Sequence, residues 1–406
     1  MKKTILIFAY YSFKDPVFQS AVLPYFLNFP NKENYLFIIL TFEQKKYILK
    51  QSETKEIRNF LSQQNILWYK KKWNSGKFKL FKKVFDLIQS LATCIKLIFQ
   101  YKVKIIYSEG FPGAILTYIV SKITRRHHII HTFEPHADYM LEAGVWKWWS
   151  WEYRFLRKME LVVARNASAI LTATDKMIAK LQAVGVTGIL YRVPSCVDLS
   201  LFNYSEPDRI SVRKSLGIKE NEILLIYLGK FGGMYWDEEL FQLFQAFENH
   251  GTLKYKYLII SIDDQKRIRS YNKFCVPNEK LIVLNLERQD VPKYLSAGNC
   301  GVCGIRNIPS RRYSSPIKNG EYWSCGLPVI IPQGISDDYL IAEENDIGVV
   351  LPDFSNESLF KVVKTFERKL DSKSWKDVKD RAAMFAANDR SVEKYKMVYK
   401  QLFENL

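Results

Sequence analysis

Residues Ser314 to Val329, SSPIKNGEYWSCGLPV, combine signals that suit a nucleoside diphosphate. Ser315 before Pro316 predicts an N-cap with proline at the first helical position, and Gly326 predicts a stop before a strand over Val329 to Ile331. At the start of such a helix the amides of Ile317 and its neighbours lack intrahelical acceptors, and the helix dipole favours an anion such as a diphosphate. Lys318 adds a point charge there, and Glu321, one to two turns on, is an acid able to accept both hydroxyls of a ribose. Read in isolation, the same residues also describe an ordinary capped surface helix with a solvated glutamate.

The elements that would carry this segment are legible along the chain. At 406 residues it exceeds what one core usually supports, so two domains are expected. Short aliphatic runs at Thr4 to Ala9, Tyr35 to Thr41, Lys104 to Tyr107, His128 to Thr132, Ala169 to Ala173 and Leu190 to Val193 alternate with longer amphipathic stretches. The rhythm restarts at Ile223 to Leu228, Tyr257 to Ile260, Leu281 to Leu284, Gly301 to Ile305, Val329 to Ile331 and Gly348 to Leu351. This is the βαβ pattern of two doubly wound parallel sheets, with residues 199 to 220 as the expected linker and a ligand expected in a cleft between facing domains. No Gly-x-Gly-x-x-Gly follows the first strand and no Walker loop occurs, which argues against a dinucleotide enzyme or a P-loop NTPase.

Charge and cysteine usage narrow the setting. The net charge is +18, and residues 1 to 200 hold thirty Lys and Arg against fourteen Asp and Glu. Such a basic half serves nucleic acid, an anionic bilayer or an acidic substrate. The opening run MKKTILIFAYY reads as a buried strand, and Val84 to Phe99, interrupted by Asp86, Gln89 and Lys96, is too short and too polar to span a bilayer. Six cysteines without a secretory signal suggest free thiols in a reducing, cytoplasmic compartment. Cys300-Gly-Val-Cys303 lies in a predicted buried strand and reads as packing; the acidic pair Asp263 and Asp264 is not read as a metal site, and no essential metal is expected.

With Ser-Pro-x-Lys-x-x-Glu-Tyr and Cys-Gly-x-Pro-Val in place, the chain resembles glycosyltransferase family four, the retaining GT-B enzymes, in its bacterial capsule and exopolysaccharide branch. Arg306 and Ser310 in GIRNIPS precede this signature, and Gly334 to Asp337 follow it; DVPKYLSAGNCGV from Asp290 and PSCVDLSLF from Pro194 match further segments. YLGKFGGMY, Tyr227 to Tyr235, resembles the loop in which Gly229, Lys230 and Gly232 meet the donor phosphates. The chain departs from the pattern at Tyr313, where family members usually carry a sugar-contacting glutamate, and at Trp236 and Asp237, where a second phosphate cation is usual.

The resemblance implies an α/β GT-B fold, two Rossmann-like doubly wound domains facing a central cleft. Residues 1–198 would form an acceptor and membrane-facing domain, 199–385 a nucleotide-sugar domain, and 386–406 a tail packing back on the first. The expected donor is UDP- or GDP-linked, held by Ser314, Ser315, Ile317, Lys318, Lys230 and Arg306 at the diphosphate and Glu321 at the ribose, with no further cofactor. The expected acceptor is a hydroxyl of a saccharide carried on polyprenyl diphosphate. Glu134, His136 and Asp138, in HTFEPHADYMLEAGVWKWWSW from His131, are candidates for positioning that hydroxyl or stabilising charge at the anomeric carbon, against the alternative that they only cap the loop. His127, His128 and His131 read as strand residues.

Trp146, Trp148, Trp149 and Trp151, with Lys147, Arg154, Arg157 and Lys158, suit the inner face of an anionic membrane; core packing is the alternative. Trp68 to Lys83, including Trp73, repeats that composition. Interleaved cations and aromatics also suit single-stranded nucleic acid, but no RNA-binding module accompanies them, and no nucleic-acid partner is expected. The rival functions are a GT-B sugar-nucleotide epimerase and a non-catalytic binding subunit of a polysaccharide complex.

Overall fold

A computed structural model describes residues 2–72, 79–372 and 375–406. The chain forms two compact units, Met1–Pro194 with Val392–Leu406, and Ser195–Ser391. The first holds strands β1 (Lys3–Ala9), β2 (Tyr35–Glu43), β3 (Ile66–Lys72), β4 (Ile105–Glu109), β5 (His127–Thr132), β6 (Ala169–Thr172) and β7 (Ile189–Arg192) in the order β3-β2-β1-β4-β5-β6-β7. Every pairing is parallel, and both faces of the central strands are covered, so β1, β2, β4 and β5 are buried almost throughout, β5 through His128 and His131 as well as its two isoleucines.

Strand β3 was not expected, because Trp68 to Lys72 reads as part of a basic, aromatic patch. Trp68 is instead core: it is 4% exposed, its Nε1 donates to Thr41 Oγ1 at 2.8 Å, and its ring lies 4.4 Å from that of Phe13. Lys70, Lys71 and Lys72 belong to an edge strand, where cations discourage pairing with another chain. Trp73 lies outside the described residues. The helix Lys79–Tyr101 places Cys94, Leu97 and Ile98 in a core with β1, β2 and β4, and no described helix is long and apolar enough to cross a membrane.

The second unit holds β8 (Glu222–Leu228), β9 (Lys254–Ile260), β10 (Leu281–Leu284), β11 (Cys300–Val302), β12 (Val329–Pro332) and β13 (Gly348–Leu351), all parallel, in the order β10-β9-β8-β11-β12-β13. All six expected runs form strands. Phe241, Phe244 and Phe247 fill one face of the sheet, while Tyr322, Trp323 and Leu327 fill the other. Strand order reverses between β8 and β11, the switch point at which open α/β sheets hold ligands outside their strand carboxyl ends.

Two boundaries differ from expectation. Residues 199 to 220 are not a linker: the helix Glu206–Ser215 packs Val212 into the second core, and Arg213 Nη1 donates to the carbonyl of Ala297 and to Asn299 Oδ1. The return to the first unit starts at Val392 rather than at residue 386, because Ala386 is buried in the core that also holds Trp323. Beyond it, the helix Val392–Asn405 buries Tyr399 and Phe403 in the first unit, with Tyr399 stacked on Tyr25 and its hydroxyl 3.1 Å from that of Tyr107.

Candidate functional site

In the second unit the switch point is occupied by the start of the helix Ile317–Ser324. Tyr322 fixes this helix to the sheet: its hydroxyl accepts from the Leu228 amide at 2.7 Å and donates to the Val302 carbonyl at 3.2 Å. The ring fits because residue 301 is glycine; a Cβ there would stand 2.5 Å from it. The N-cap position belongs to Pro316, not to Ser315, and no side chain caps the helix. The expected Ser315 cap is therefore not made. Proline cannot supply a capping oxygen, and Ser315 is turned into the protein, where its carbonyl accepts from Ser195 Oγ at 2.6 Å. Its own Oγ is buried with no partner among the described residues. The first-turn amides of Ile317 and Lys318 are thus left without a side-chain acceptor, as an anion requires.

Lys318 reaches back over the end of β8. Its Nζ lies 5.0 Å above the Tyr235 ring and so close to Gly229 that a Cβ there would meet it at 2.8 Å. Burial pulls the ammonium down to about 8, against the field of Glu321, and the nearby charge of Lys230 pulls the same way. Two cations crowd one place. Lys318 lines a small cleft of about 210 Å³ with Tyr227, Tyr235, Cys303, Gly304 and Pro316, while Lys230 is exposed beside it.

The loop after β8 is held open by glycine. Gly232 and Gly233 take φ of +80° and +62°, which other residues adopt only at a cost, and the loop lies back on residues 304–306 through Trp236 N to Gly304 O at 3.0 Å. Asp263 is one of its anchors, accepting the Phe231 amide at 2.7 Å. Arg306 is another: its guanidinium binds Glu239 at 2.8 Å, Asp237 at 2.7 Å and the Gly233 carbonyl at 2.9 Å. Burial alone would raise the Glu239 carboxyl, but Arg306 and the Asp237 amide bring it to about 2. Arg306 therefore shapes the loop, and its charge is already matched by two carboxylates. Ser314 Oγ donates to the Arg311 carbonyl at 3.1 Å, and Ser310, buried in the short 3-10 turn Pro309–Tyr313, sits one turn before it.

Glu321 is 2% exposed, on the inward face of the helix. Burial raises its carboxyl, and Arg288 works against that, with Nη1 2.9 Å from Oε1. Arg288 comes from the loop after β10 and lies 4.9 Å over the Phe202 ring. Sequence reasoning missed it, since a single arginine in NLERQD carries no spacing signal. Below the helix, Asn319 Nδ2 donates to Asp338 Oδ2 at 2.8 Å, and Asp338 pairs with the fully buried Arg390. Cys300 and Cys303 are buried, the Cys303 thiol being pushed to about 12 by burial, and the described residues contain no group of three or more metal-ligating side chains.

In the first unit, β5 ends at Thr132, and His136, Ala137 and Asp138 open the short helix His136–Glu142. Asp138 is engaged by the Tyr153 hydroxyl at 3.3 Å and Lys180 Nζ at 3.0 Å, so it braces this helix. His136 is half-buried, and burial lowers it to about 4, leaving a neutral imidazole at pH 7. The Glu134 carbonyl accepts from Thr132 Oγ1 at 3.0 Å. Glu160, from the next helix, accepts the Ala137 amide at 2.9 Å; burial raises it to about 8, reinforced by Asp138 and Glu134. Beneath them Glu109 and His131 form a buried contact at 3.4 Å. Neither Glu109 nor Glu160 carried a motif.

The tryptophans divide. Trp146 packs with Ala137, Tyr153 and Leu156, whereas Trp148, Trp149 and Trp151 are 69%, 56% and 62% exposed. Trp151 and Phe155 continue as one exposed stripe with Arg154 and Lys158 on the helix Trp151–Asn166.

The architecture is similar, along its whole length, to solved structures that share little sequence with it. HepE from Anabaena, in complex with UDP, matches with a TM-score of 0.74 and 13% identity over 100% of both chains. Sucrose-phosphate synthase from Thermosynechococcus elongatus matches at 0.72 with 13% identity, over 100% of this chain and 99% of that one. WaaG, a glycosyltransferase involved in lipopolysaccharide biosynthesis, matches at 0.67 with 13% identity, over 97% and 99%. No family model and no curated protein sequence matches the chain. The likeness establishes the fold, two Rossmann-like doubly wound domains of the GT-B type.

Proposed function

We propose that the protein is a glycosyltransferase that takes its sugar from a nucleotide donor. The carrying observation is the uncapped start of the Ile317–Ser324 helix, with Lys318 drawn over it and Glu321 buried one turn further in. The diphosphate would accept from the Ile317 and Lys318 amides and from Ser315 Oγ, with Lys318 and Lys230 balancing its charge. These cations take the place of a divalent ion. Glu321 would exchange its contact with Arg288 for, or share it with, the ribose hydroxyls. UDP is the first candidate because related folds such as HepE were solved with UDP and UDP-glucose; GDP is the second.

The transferred hexosyl group would pass, with retention, to a hydroxyl of a lipid-linked saccharide in capsule or exopolysaccharide assembly. His136, neutral at pH 7, and Glu134 are the groups we assign to the acceptor side. Retention rests on the sequence resemblance, and the lipid carrier on the exposed aromatic and basic face of the first unit. Glu321→Ala is expected to weaken UDP binding at least tenfold, about 1.4 kcal/mol, by isothermal titration; an unchanged affinity removes the ribose assignment.

The same reading places Trp148, Trp149 and Trp151 at the inner membrane surface, in a peripheral attachment. Replacing all three by serine should lower binding to phosphatidylglycerol-rich vesicles by roughly tenfold in co-sedimentation. Equal sedimentation of the variant and the parent protein would remove this face from the membrane.

A further inference from the structure

The first unit carries a second concentration of charge that the proposed reaction does not use. Three neighbouring strands of its sheet, β1, β4 and β5, are each entered through cationic residues: Lys2 and Lys3, Lys102 and Lys104, Arg125 and Arg126. Parallel neighbours stand about 4.8 Å apart, so six cations are gathered at one edge, the amino ends of the strands. They line an open groove of about 1440 Å³ with Tyr101, His127 and Leu406.

The groove is assembled at a cost. Lys102 and Arg125, which follow the helices Lys79–Tyr101 and Gly110–Thr124, take φ of +51° and +52°. Glycine would adopt that conformation freely, whereas a residue with a Cβ gives up about 1 kcal/mol. A cation after a helix end answers the helix dipole, which accounts for one charge at each place. It does not account for adding Lys104 and Arg126 beside them, since like charges at this spacing repel. Lys2 Nζ donates to Asn65 Oδ1 and Lys3 Nζ to the Phe403 carbonyl, and Glu404 faces Lys3. Lys102, Lys104, Arg125 and Arg126 have no carboxylate partner among the described residues, and the buried Arg126 Nε has no hydrogen-bond acceptor.

We infer that this groove is a binding site for a soluble ligand bearing several adjacent phosphates, separate from the nucleotide site of the other unit. Clustered lysines and arginines around a concavity match the charge density of an oligophosphate, and the arginines add planar donors for its oxygens. A bilayer is disfavoured as the occupant by position. The exposed tryptophans lie at the start of the helix Trp151–Asn166, whereas its far end, ~24 Å along the axis, leads into Ser168, whose Oγ lies 3.5 Å from Nδ1 of the groove-lining His127. A flat membrane surface on the tryptophans leaves the groove in solution.

The test is titration of the full chain with inorganic tripolyphosphate, alongside Lys102→Asn/Arg125→Asn, in which asparagine accepts the left-handed conformation without the charge. Saturable binding that weakens at least about tenfold in the double variant, with unchanged thermal unfolding, is expected. If the double variant unfolds early, Lys104→Gln/Arg126→Gln replaces it with the same expectation. No saturable binding, or equal affinity in the variants, overturns the site. Loss of anionic-vesicle binding in the variants, without tripolyphosphate binding by the parent protein, overturns the soluble ligand in favour of a lipid headgroup.

Discussion

Arg390→Met should destabilise the second unit by about 3–5 kcal/mol, the range seen when one member of a buried ion pair is removed. Arg390 is 1% exposed, pairs with the fully buried Asp338, and lies 5.6 Å over the Trp323 ring. Without it, Asp338 keeps, among the described residues, only Asn319 and Ser336 as donors for a charge with no access to water. For a unit of this size the loss corresponds to a fall in melting temperature of roughly 10 °C by calorimetry. Arg390→Met combined with Asp338→Asn should recover part of it, since the uncompensated charge is then gone. A single variant that melts like the parent protein would show that this network does not hold the unit together.

The network bears on the proposed function because it lies under the helix assigned to the nucleotide. The Val197 amide donates to the Arg390 carbonyl at 2.6 Å, and Val197 presses on Gly320, where a Cβ would meet its Cγ2 at 2.7 Å. The start of the Ile317–Ser324 helix is therefore set from below by packed side chains as well as by Tyr322 from the sheet.

Lys318→Met should weaken UDP binding by roughly ten- to a hundredfold, the equivalent of a charge-assisted hydrogen bond worth about 1.5–3 kcal/mol. The parent protein should also lose affinity as pH rises through about 8, because the amine of the free protein is then uncharged and must take up a proton as UDP binds. A bound diphosphate favours the ammonium, so the complex holds the proton to higher pH and the decline follows the free-protein value. The direction for folding is opposite. With the folded value below the unfolded one, the unfolded chain holds more protons between about 8 and 10.5, so Lys318 is less unfavourable to folding as pH rises across that window. In Lys318→Met the fall in affinity near pH 8 should largely disappear; a fall of the same size in the variant would assign the titration elsewhere.

How much of this was legible in the sequence depends on whether a local signal existed. All six strands of the second unit announced themselves because buried parallel strands are largely aliphatic runs, and TILIFA and YLFIILT did the same in the first. β3 was hidden because an edge strand carries lysines, which in sequence resemble a charged surface. Glu321 and Lys318 were singled out through helix punctuation and a family resemblance. Arg288, Glu160 and the Arg390–Asp338 pair were not, since each acts across 23 to 52 residues of chain and is brought to its partner only by the tertiary fold. The capping role given to Ser315 failed because Pro316 keeps an extended backbone with ψ of 113° and is itself the cap position, so the helix starts one residue later, at Ile317.

A crystal structure with bound UDP tests the central claim most directly. The diphosphate should accept from the Ile317 and Lys318 amides, with Lys318 Nζ against it and the ribose on Glu321. UDP bound elsewhere, or a helix start filled by its own side chains at saturating UDP, would contradict the account.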